Sequence, residues 1–292
     1  MNAFANSVKH YYRLTKPRIV FMVLVTAVWG YFLALNGSFL DMLIEFRFWM
    51  TMLGTGLGAA GAAVLNQYVE RDADAIMKRT QGRPIPSGLV SPLGALVFGL
   101  WLNLLGLGIL LWQVNILTAF LVLYTNFLYV LVYTPMKRFS ELNISFGAVP
   151  GAIPPLIGCT AVTGEFTLEG FVLFMILFIW QHPHVYAIQW MYRDDFARAG
   201  FKMLAVRDDG SKTRQYVILG TLALIVVSMF PTLLGMSSMI YLALALVSGI
   251  GLLIAGVRMT SSLSYTSAFG FMKATVFYLP LILVGLVVDA LL

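Results

Sequence analysis

Long apolar segments recur along the whole chain and restrict it to one class of fold. A membrane-spanning helix needs about 20 predominantly apolar residues. Only 11% of the 292 residues are charged and 60% are hydrophobic, too little charge to cover a soluble protein of this length. The sequence therefore predicts an all-α, polytopic membrane protein, a single domain over residues 1–292 embedded in a lipid bilayer. The nine predicted transmembrane helices cover residues 19–36, 48–67, 91–112, 116–133, 144–162, 169–190, 215–234, 239–257 and 271–291.

The basic residues predict how these helices are oriented. The chain has 19 Lys and Arg residues, and all except Arg47 lie in or beside the N-terminal segment and the loops after helices two, four, six and eight. By the positive-inside rule these segments are cytoplasmic, which makes the N-terminus cytoplasmic and the C-terminus extracytoplasmic. The same rule explains the net charge of +6 without a nucleic-acid partner. The absence of an apparent targeting or signal segment favours a bacterial plasma (inner) membrane.

Cysteine and histidine usage excludes several kinds of site. The single cysteine, Cys159, excludes an intrachain disulfide framework and a cysteine-rich zinc site. Three histidines in the whole chain leave little room for a multi-histidine metal centre.

The first of two long charged loops, residues 68–90, begins beside the strongest candidate site. Asn66, Glu70 and Asp74 are four residues apart, which places three oxygen-bearing side chains on one face of a helix. Oxygen ligands hold Mg²⁺, and guanidinium groups bind phosphate oxygens in a bidentate way. The alternative is a solvated turn of paired charges, but polar groups continuing into an apolar helix are costly and usually functional. The adjacent candidate diphosphate ligands are Lys78, Arg79 and Arg83.

The second charged loop, residues 191–214, supplies another acidic patch. Asp194 and Asp195 are adjacent, so their side chains point about 100° apart on a helix, and we expect only one to face the first cluster. In the alternative, Asp194 pairs with Arg198 at i,i+4. Two facing carboxylate patches would let Mg²⁺ ions neutralise a diphosphate leaving group. Arg198 and Lys202 are further candidate ligands of that diphosphate.

The fourth and fifth helices carry two weaker signals. Lys137 and Arg138 end the fourth helix and are placed to contact phosphate, although a basic pair there is also ordinary membrane topology. The fifth helix is rich in glycine and proline, so we predict that it kinks or opens. Broken helices in membranes generally line a cavity, although proline-rich packing without function is the alternative.

The sixth helix carries polar groups among apolar neighbours. Gln181, His182 and His184 lie within a predicted membrane span, with Tyr186 just beyond them. A single buried histidine is usually a satisfied hydrogen-bonding residue, but this grouping around a proline favours the polar wall of an acceptor pocket.

Taken together, these segments resemble the UbiA-type superfamily of intramembrane prenyltransferases, and within it the protohaem farnesyltransferase (haem O synthase) branch. The resemblance covers most of the chain. Many superfamily members space the second acidic motif as D-x-x-x-D, whereas the acids here are adjacent. The matching segments, in family order, are L-T-K-P-R at 14–18, N-x-x-x-E-x-x-x-D-x-x-M-x-R-T-x-x-R-P at 66–84, Y-T-P-M-K-R at 133–138, G-A-V-P-G-A-I-P-P-L-I-G at 147–158, W-Q-H-P-H at 180–184 and R-D-D-F-A-R-A-G-F-K-M-L at 193–204.

The resemblance implies nine helices around a central cavity open to the cytoplasmic side. It also implies that farnesyl diphosphate alkylates the 2-vinyl group of haem B, with addition of water, to give haem O and diphosphate. Mg²⁺ is the implied cofactor and haem B a substrate, and haem A synthase or terminal oxidase assembly proteins are expected partners. A haem-iron ligand role for His182 or His184 is a hypothesis. The implied metal-binding and catalytic residues are Asn66, Glu70, Asp74 and Asp194 or Asp195, with Arg79, Arg83, Lys137 and Arg138 at the diphosphate.

Three other functions are weighed against this one. A prenyltransferase for an aromatic or quinone precursor would share the diphosphate site and differ in the acceptor pocket. A cation-coupled transporter would place its ion site near the bilayer midplane on broken helices, whereas these acids cluster at helix ends. A haem-binding assembly protein would leave the acidic face from Asn66 to Asp74 unexplained.

Overall fold

The computed structural model describes residues 2–35 and 38–291, and these residues form helices and connecting loops without a β-strand. Within these ranges, nine helices are long and apolar enough to cross a membrane. The predicted all-α, nine-span architecture is therefore confirmed. The spans are α1 (Pro17–Leu35), α2 (Phe46–Ile76), α3 (Pro92–Gln113), α4 (Ile116–Met136), α5 (Asn143–Thr163), α6 (Leu168–Met191), α7 (Ser211–Leu233), α8 (Met239–Ser262) and α9 (Tyr265–Leu291).

Four shorter helices lie outside the spans. Asn2–Leu14 precedes α1 and Phe39–Ile44 precedes α2, while Arg193–Arg198 and Leu204–Arg207 lie between α6 and α7. At one end of the bundle, α1 and α5 begin and α2, α4 and α6 end. We call this the basic end, because the segments rich in Lys and Arg meet there. The Lys202 backbone N–H, for example, donates to the carbonyl oxygen of Lys137 at 2.8 Å.

Helix α2 is longer than the sequence predicts. Its apolar run ends near residue 67, but the helix continues to Ile76, so the first part of the predicted loop 68–90 is helical. The extension is stabilised by packing, because buried Ala73 contributes to an apolar cluster with Phe196 and Phe201 of the second charged loop. Tertiary contact thus extends a helix beyond the segment that hydrophobicity alone defines.

Helices α4 and α5 are both irregular. Residues Leu128–Tyr133 of α4 form a π-helical turn, and α5 is interrupted at Ile153 between Asn143–Ala152 and Pro154–Thr163. Proline lacks the N–H that continues a helix, which explains the interruption and confirms the predicted kink. π-Turns are frequent at functional sites. Both irregular helices line the cavity described below.

Candidate active site

The three polar residues predicted on one face of α2 lie together and are buried. Asn66, Glu70 and Asp74 are 1%, 6% and 0% exposed. The Asn66 side-chain amide donates to Glu70 Oε2 at 3.1 Å and to the hydroxyl of Thr134, which follows the π-helical turn of α4, at 3.0 Å. This polar cluster, Asn66–Glu70–Asp74, therefore joins α2 to the basic end of α4.

Each carboxylate of the polar cluster has a cationic partner. Lys137 Nζ lies 2.7 Å from Glu70 Oε1, and an Arg83 guanidinium nitrogen lies 2.6 Å from Asp74 Oδ2. Burial opposes the charge on Lys137, but the neighbouring Glu70 carboxylate outweighs it and raises the pKa of Lys137. The predicted grouping of acids with Lys137 and Arg83 is thus present in the fold.

Lys16 also belongs to this cluster, and sequence reasoning did not select it as a site residue. Its Nζ donates to Asn66 Oδ1 at 2.8 Å. Burial, followed by the positive charge of Arg83, lowers the pKa of Lys16 to about 7. Lys16 has a φ of 49°, a left-handed conformation that is uncommon for a residue with a side chain and is often found at functional sites. The available signal was its position directly before Pro17, where the helical conformation is disfavoured.

The two adjacent acids of the second loop have different surroundings. The Asp195 carboxylate is buried, accepts the backbone N–H of Arg79 at 3.2 Å and pairs with Arg198. The Asp194 side chain is 87% exposed and lies 3.7 Å from Arg193. Asp195 is thus the acid that contacts the first charged loop, through the Arg79 backbone, while Glu70 and Asp74 pair with Lys137 and Arg83. The alternative pairing of Asp194 with Arg198 is wrong, because the helical turn brings Asp195 to that guanidinium instead.

The remaining predicted diphosphate ligands lie at the basic end but have different surroundings. The Arg79 guanidinium lies 5.2 Å from the centroid of the Tyr192 ring, and partial desolvation and then the charge of Arg83 lower the pKa of Arg79. Lys78, Arg138 and Lys202 are exposed residues at the same end of the bundle. In the described structure these three side chains do not contact Glu70 or Asp74.

The donor atoms fit Mg²⁺, with fewer protein ligands than a dedicated metal cage has. Within residues 2–35 and 38–291, no three His, Cys, Asp or Glu side chains are grouped to hold a metal. Mg²⁺ commonly binds through one or two carboxylates together with substrate phosphates and water. Asp74 Oδ1 is buried and has no hydrogen-bond partner among the described residues. Asp74, Glu70 and the amide oxygen of Asn66 are therefore suited to hold the ion.

A largely apolar central cavity of about 240 Å³ adjoins the polar cluster. It is lined by residues from α1, α2, α4, α5 and α6, with Lys16 and Tyr133 toward the basic end. The walls further from that end are aliphatic and small side chains, including Val23, Ala59 and Ile157. This shape suits a substrate with a charged head and a hydrocarbon tail.

Of the four candidates on α6, only Gln181 lines this cavity. His182 Nε2 lies 3.2 Å from the Ser145 hydroxyl of α5. His184 instead contacts α9, with Nδ1 2.7 Å from the Thr275 hydroxyl. The Tyr186 ring lies 5.5 Å from that of Tyr216 on α7. The structure therefore does not gather these polar groups on a single wall.

Comparison with known proteins identifies the class to which this fold and site belong. The UbiA prenyltransferase family matches residues 23–282. The chain belongs to this family and is an integral membrane prenyltransferase. The resemblance drawn from the sequence motifs is confirmed.

Curated relatives and solved structures agree with this assignment. The chain is 46% identical over 281 residues to the protoheme IX farnesyltransferase of Solibacter usitatus, covering 94% of this chain and 96% of that protein. It is 40% identical over 283 residues to the protoheme IX farnesyltransferase of Opitutus terrae, covering 96% and 94%. The fold is similar to a structure of digeranylgeranylglyceryl phosphate synthase, with a TM-score of 0.79 at 17% identity and 97% and 98% coverage. A UbiA homologue from Archaeoglobus fulgidus bound to GPP and Mg²⁺ gives a TM-score of 0.65 at 14% identity, with 95% and 99% coverage.

Proposed function

We propose that this protein transfers the farnesyl group of farnesyl diphosphate to the 2-vinyl group of haem B, with addition of water, forming haem O and releasing diphosphate. The observation that carries this proposal is the polar cluster at the end of an apolar cavity, where paired carboxylates and cations adjoin space for a hydrocarbon chain. The names of the curated relatives support haem as the acceptor. We place the protein in a bacterial inner membrane, and the distribution of basic residues supports a cytoplasmic site with a cytoplasmic N-terminus and an extracytoplasmic C-terminus.

The polar cluster would bind the diphosphate through its cations. Lys16, Arg83 and Lys137 are within hydrogen-bonding distance of the cluster and can donate to phosphate oxygens. Glu70 and Asp74 would hold Mg²⁺, and the ion would neutralise part of the negative charge of the diphosphate. Asp195 braces this arrangement by fixing the backbone of Arg79, and it is our candidate for the second acidic site.

The reaction requires the allylic C–O bond to break with its electron pair leaving on the diphosphate. Cationic side chains at the leaving group stabilise the charge that develops there. Tyr129 and Tyr133 line the cavity with ring centroids 5.6 Å apart, so their faces can stabilise the allylic cation. The vinyl π electrons then form the new C–C bond. Water captures the resulting carbocation and loses a proton, which leaves a hydroxyl group and balances the reaction.

The proposal is tested by supplying farnesyl diphosphate, haem B and Mg²⁺ to membranes containing this protein and measuring the mass of the extracted haem. A new hydroxyethylfarnesyl haem is expected, and it should be absent when Asp74→Ala replaces the wild type. If a phenol or quinone precursor is prenylated while haem B is recovered unchanged, the enzyme class stands and the proposed acceptor is wrong.

A further inference from the structure

Resting on the proposed function, we infer that Thr55, Val122 and Ile157 form a floor that limits the prenyl donor to three isoprene units. These side chains come from α2, α4 and α5, and all of them line the central cavity. On each of these helices, the named residue is the cavity-lining residue furthest along the helix from the polar cluster. Donor chain length is thereby set by side chains remote from the reacting atoms.

The distance along α2 from the polar cluster to the floor matches a chain of this size. Thr55 precedes Asn66 by eleven positions on the same helix, an axial distance of about 16 Å. From the reach of an extended chain, each isoprene unit of four backbone bonds spans about 4.6 Å. Three units therefore need about 14 Å and four need about 18 Å. A geranylgeranyl chain would have to displace the floor or fold back.

Tight helix packing prevents the floor from opening further. Where α1 crosses α5, a Cβ atom on Gly30 would collide with the backbone of Pro155, and one on Gly158 would collide with the backbone of Ala27. Where α2 meets α4, a Cβ on Gly58 would lie 2.6 Å from Val122 Cγ1. These contacts leave no space for an added side chain at the α1–α5 crossing or between Gly58 and Val122.

Thr55 differs from the other floor residues because its hydroxyl is buried without a hydrogen-bond partner among the described residues. The neighbouring Thr51 hydroxyl, by comparison, donates to the Arg47 carbonyl oxygen at 2.8 Å. A hydroxyl without a hydrogen-bond partner at the end of an apolar channel makes contact with additional methylene groups unfavourable. Thr55 thus combines a steric limit with a polar one.

The inference is tested with variants that move the floor in opposite directions. Ala59 lines the cavity one turn closer to the polar cluster, so Ala59→Phe should shorten the channel to about two isoprene units. The double variant T55A/I157A should lengthen it. Thr55→Val keeps the shape of the floor and removes only the hydroxyl, so it separates the polar limit from the steric one. Leu53→Ala changes an exposed residue of the same helix and is the control.

The measurement is direct binding of non-reactive thiodiphosphate analogues with ten, fifteen and twenty carbons, in detergent with Mg²⁺. We expect the wild type to favour fifteen carbons. Ala59→Phe should favour the ten-carbon analogue and the double variant the twenty-carbon analogue. Each should change the affinity for that analogue relative to the fifteen-carbon one about tenfold. Unchanged ratios in folded variants would overturn the inference, as would a wild type that binds all three chains equally. Haem B is absent from this assay, so an error in the proposed acceptor would leave the ranking intact.

Discussion

The ammonium group of Lys137 lies 2.7 Å from Oε1 of Glu70, although the two residues are 67 positions apart in the chain. Both side chains are almost fully buried. A buried ion pair is costly to break from one side because the remaining charge is left without a partner. The pair is therefore both a structural link between α2 and the end of α4 and a charged part of the candidate site.

Replacing Glu70 with Gln should remove about 3–5 kcal/mol of stability, because Lys137 then faces a neutral amide. Adding Lys137→Met should restore much of that stability by removing the unpaired charge. Activity should be lost in both variants, since we propose that the pair also acts at the diphosphate. Thermal unfolding and diphosphate release, measured in the same detergent, separate the two effects. Wild-type turnover in the Glu70→Gln variant would contradict the assignment.

Asp74→Asn should weaken the response of the enzyme to Mg²⁺. Asp74 has a buried oxygen without a hydrogen-bond partner in the described structure, whereas Asp72, two positions earlier, is mostly exposed. We expect the Mg²⁺ concentration for half-maximal diphosphate release to rise at least about tenfold in Asp74→Asn. Asp72→Asn is the matched control and should behave like the wild type. Equal Mg²⁺ curves for the two variants would exclude Asp74 as a ligand.

The two adjacent acids of the second loop should respond differently to the same substitution. Asp195→Asn removes the negative charge that pairs with Arg198 and weakens the contact with the Arg79 backbone. It should lower turnover about tenfold or more and lower the melting temperature. Asp194→Asn changes an exposed side chain and should alter stability by less than about 0.5 kcal/mol. The prediction fails if Asp194→Asn is the more damaging variant.

Asp208 should make a pH-dependent contribution to stability. Burial opposes its charge, but hydrogen bonds from Thr213 and Lys212 at the start of α7 outweigh this and lower the pKa of Asp208. Because the pKa in the folded state lies below the unfolded value of about 3.9, the stabilisation is fully present above pH ~4 and disappears as the pH falls through the folded pKa.

Asp208→Ala should therefore lower stability by about 1 kcal/mol at pH 7, as loss of a helix-capping side chain does. The difference from the wild type should vanish in strong acid. Melting temperatures recorded from pH 7 downward measure this effect, with Asp194→Asn as an exposed control. A difference that stays constant with pH would show that the Asp208 charge is not responsible.

Parts of the site could be predicted from sequence because they depend on local geometry. Asn66, Glu70 and Asp74 share a face because of their four-residue spacing. The division of roles between Asp194 and Asp195 follows from their different directions on a helix, but only the packed loop decides which of the two is buried. His184 illustrates the opposite case, since a polar residue in an apolar helix was predicted at the cavity and instead contacts Thr275 of α9.

The sequence by itself determined the nine-span architecture, because lipid offers no hydrogen-bond partners and each long apolar segment must satisfy its backbone as a helix. It also determined that three oxygen-bearing side chains share one face at the end of α2. Tertiary structure alone decided that Lys16 reaches Asn66 across 50 positions, that α2 extends to Ile76, and where the cavity ends. These features depend on contacts between helices distant in the chain, and the periodicity of a single helix contains no information about its partners.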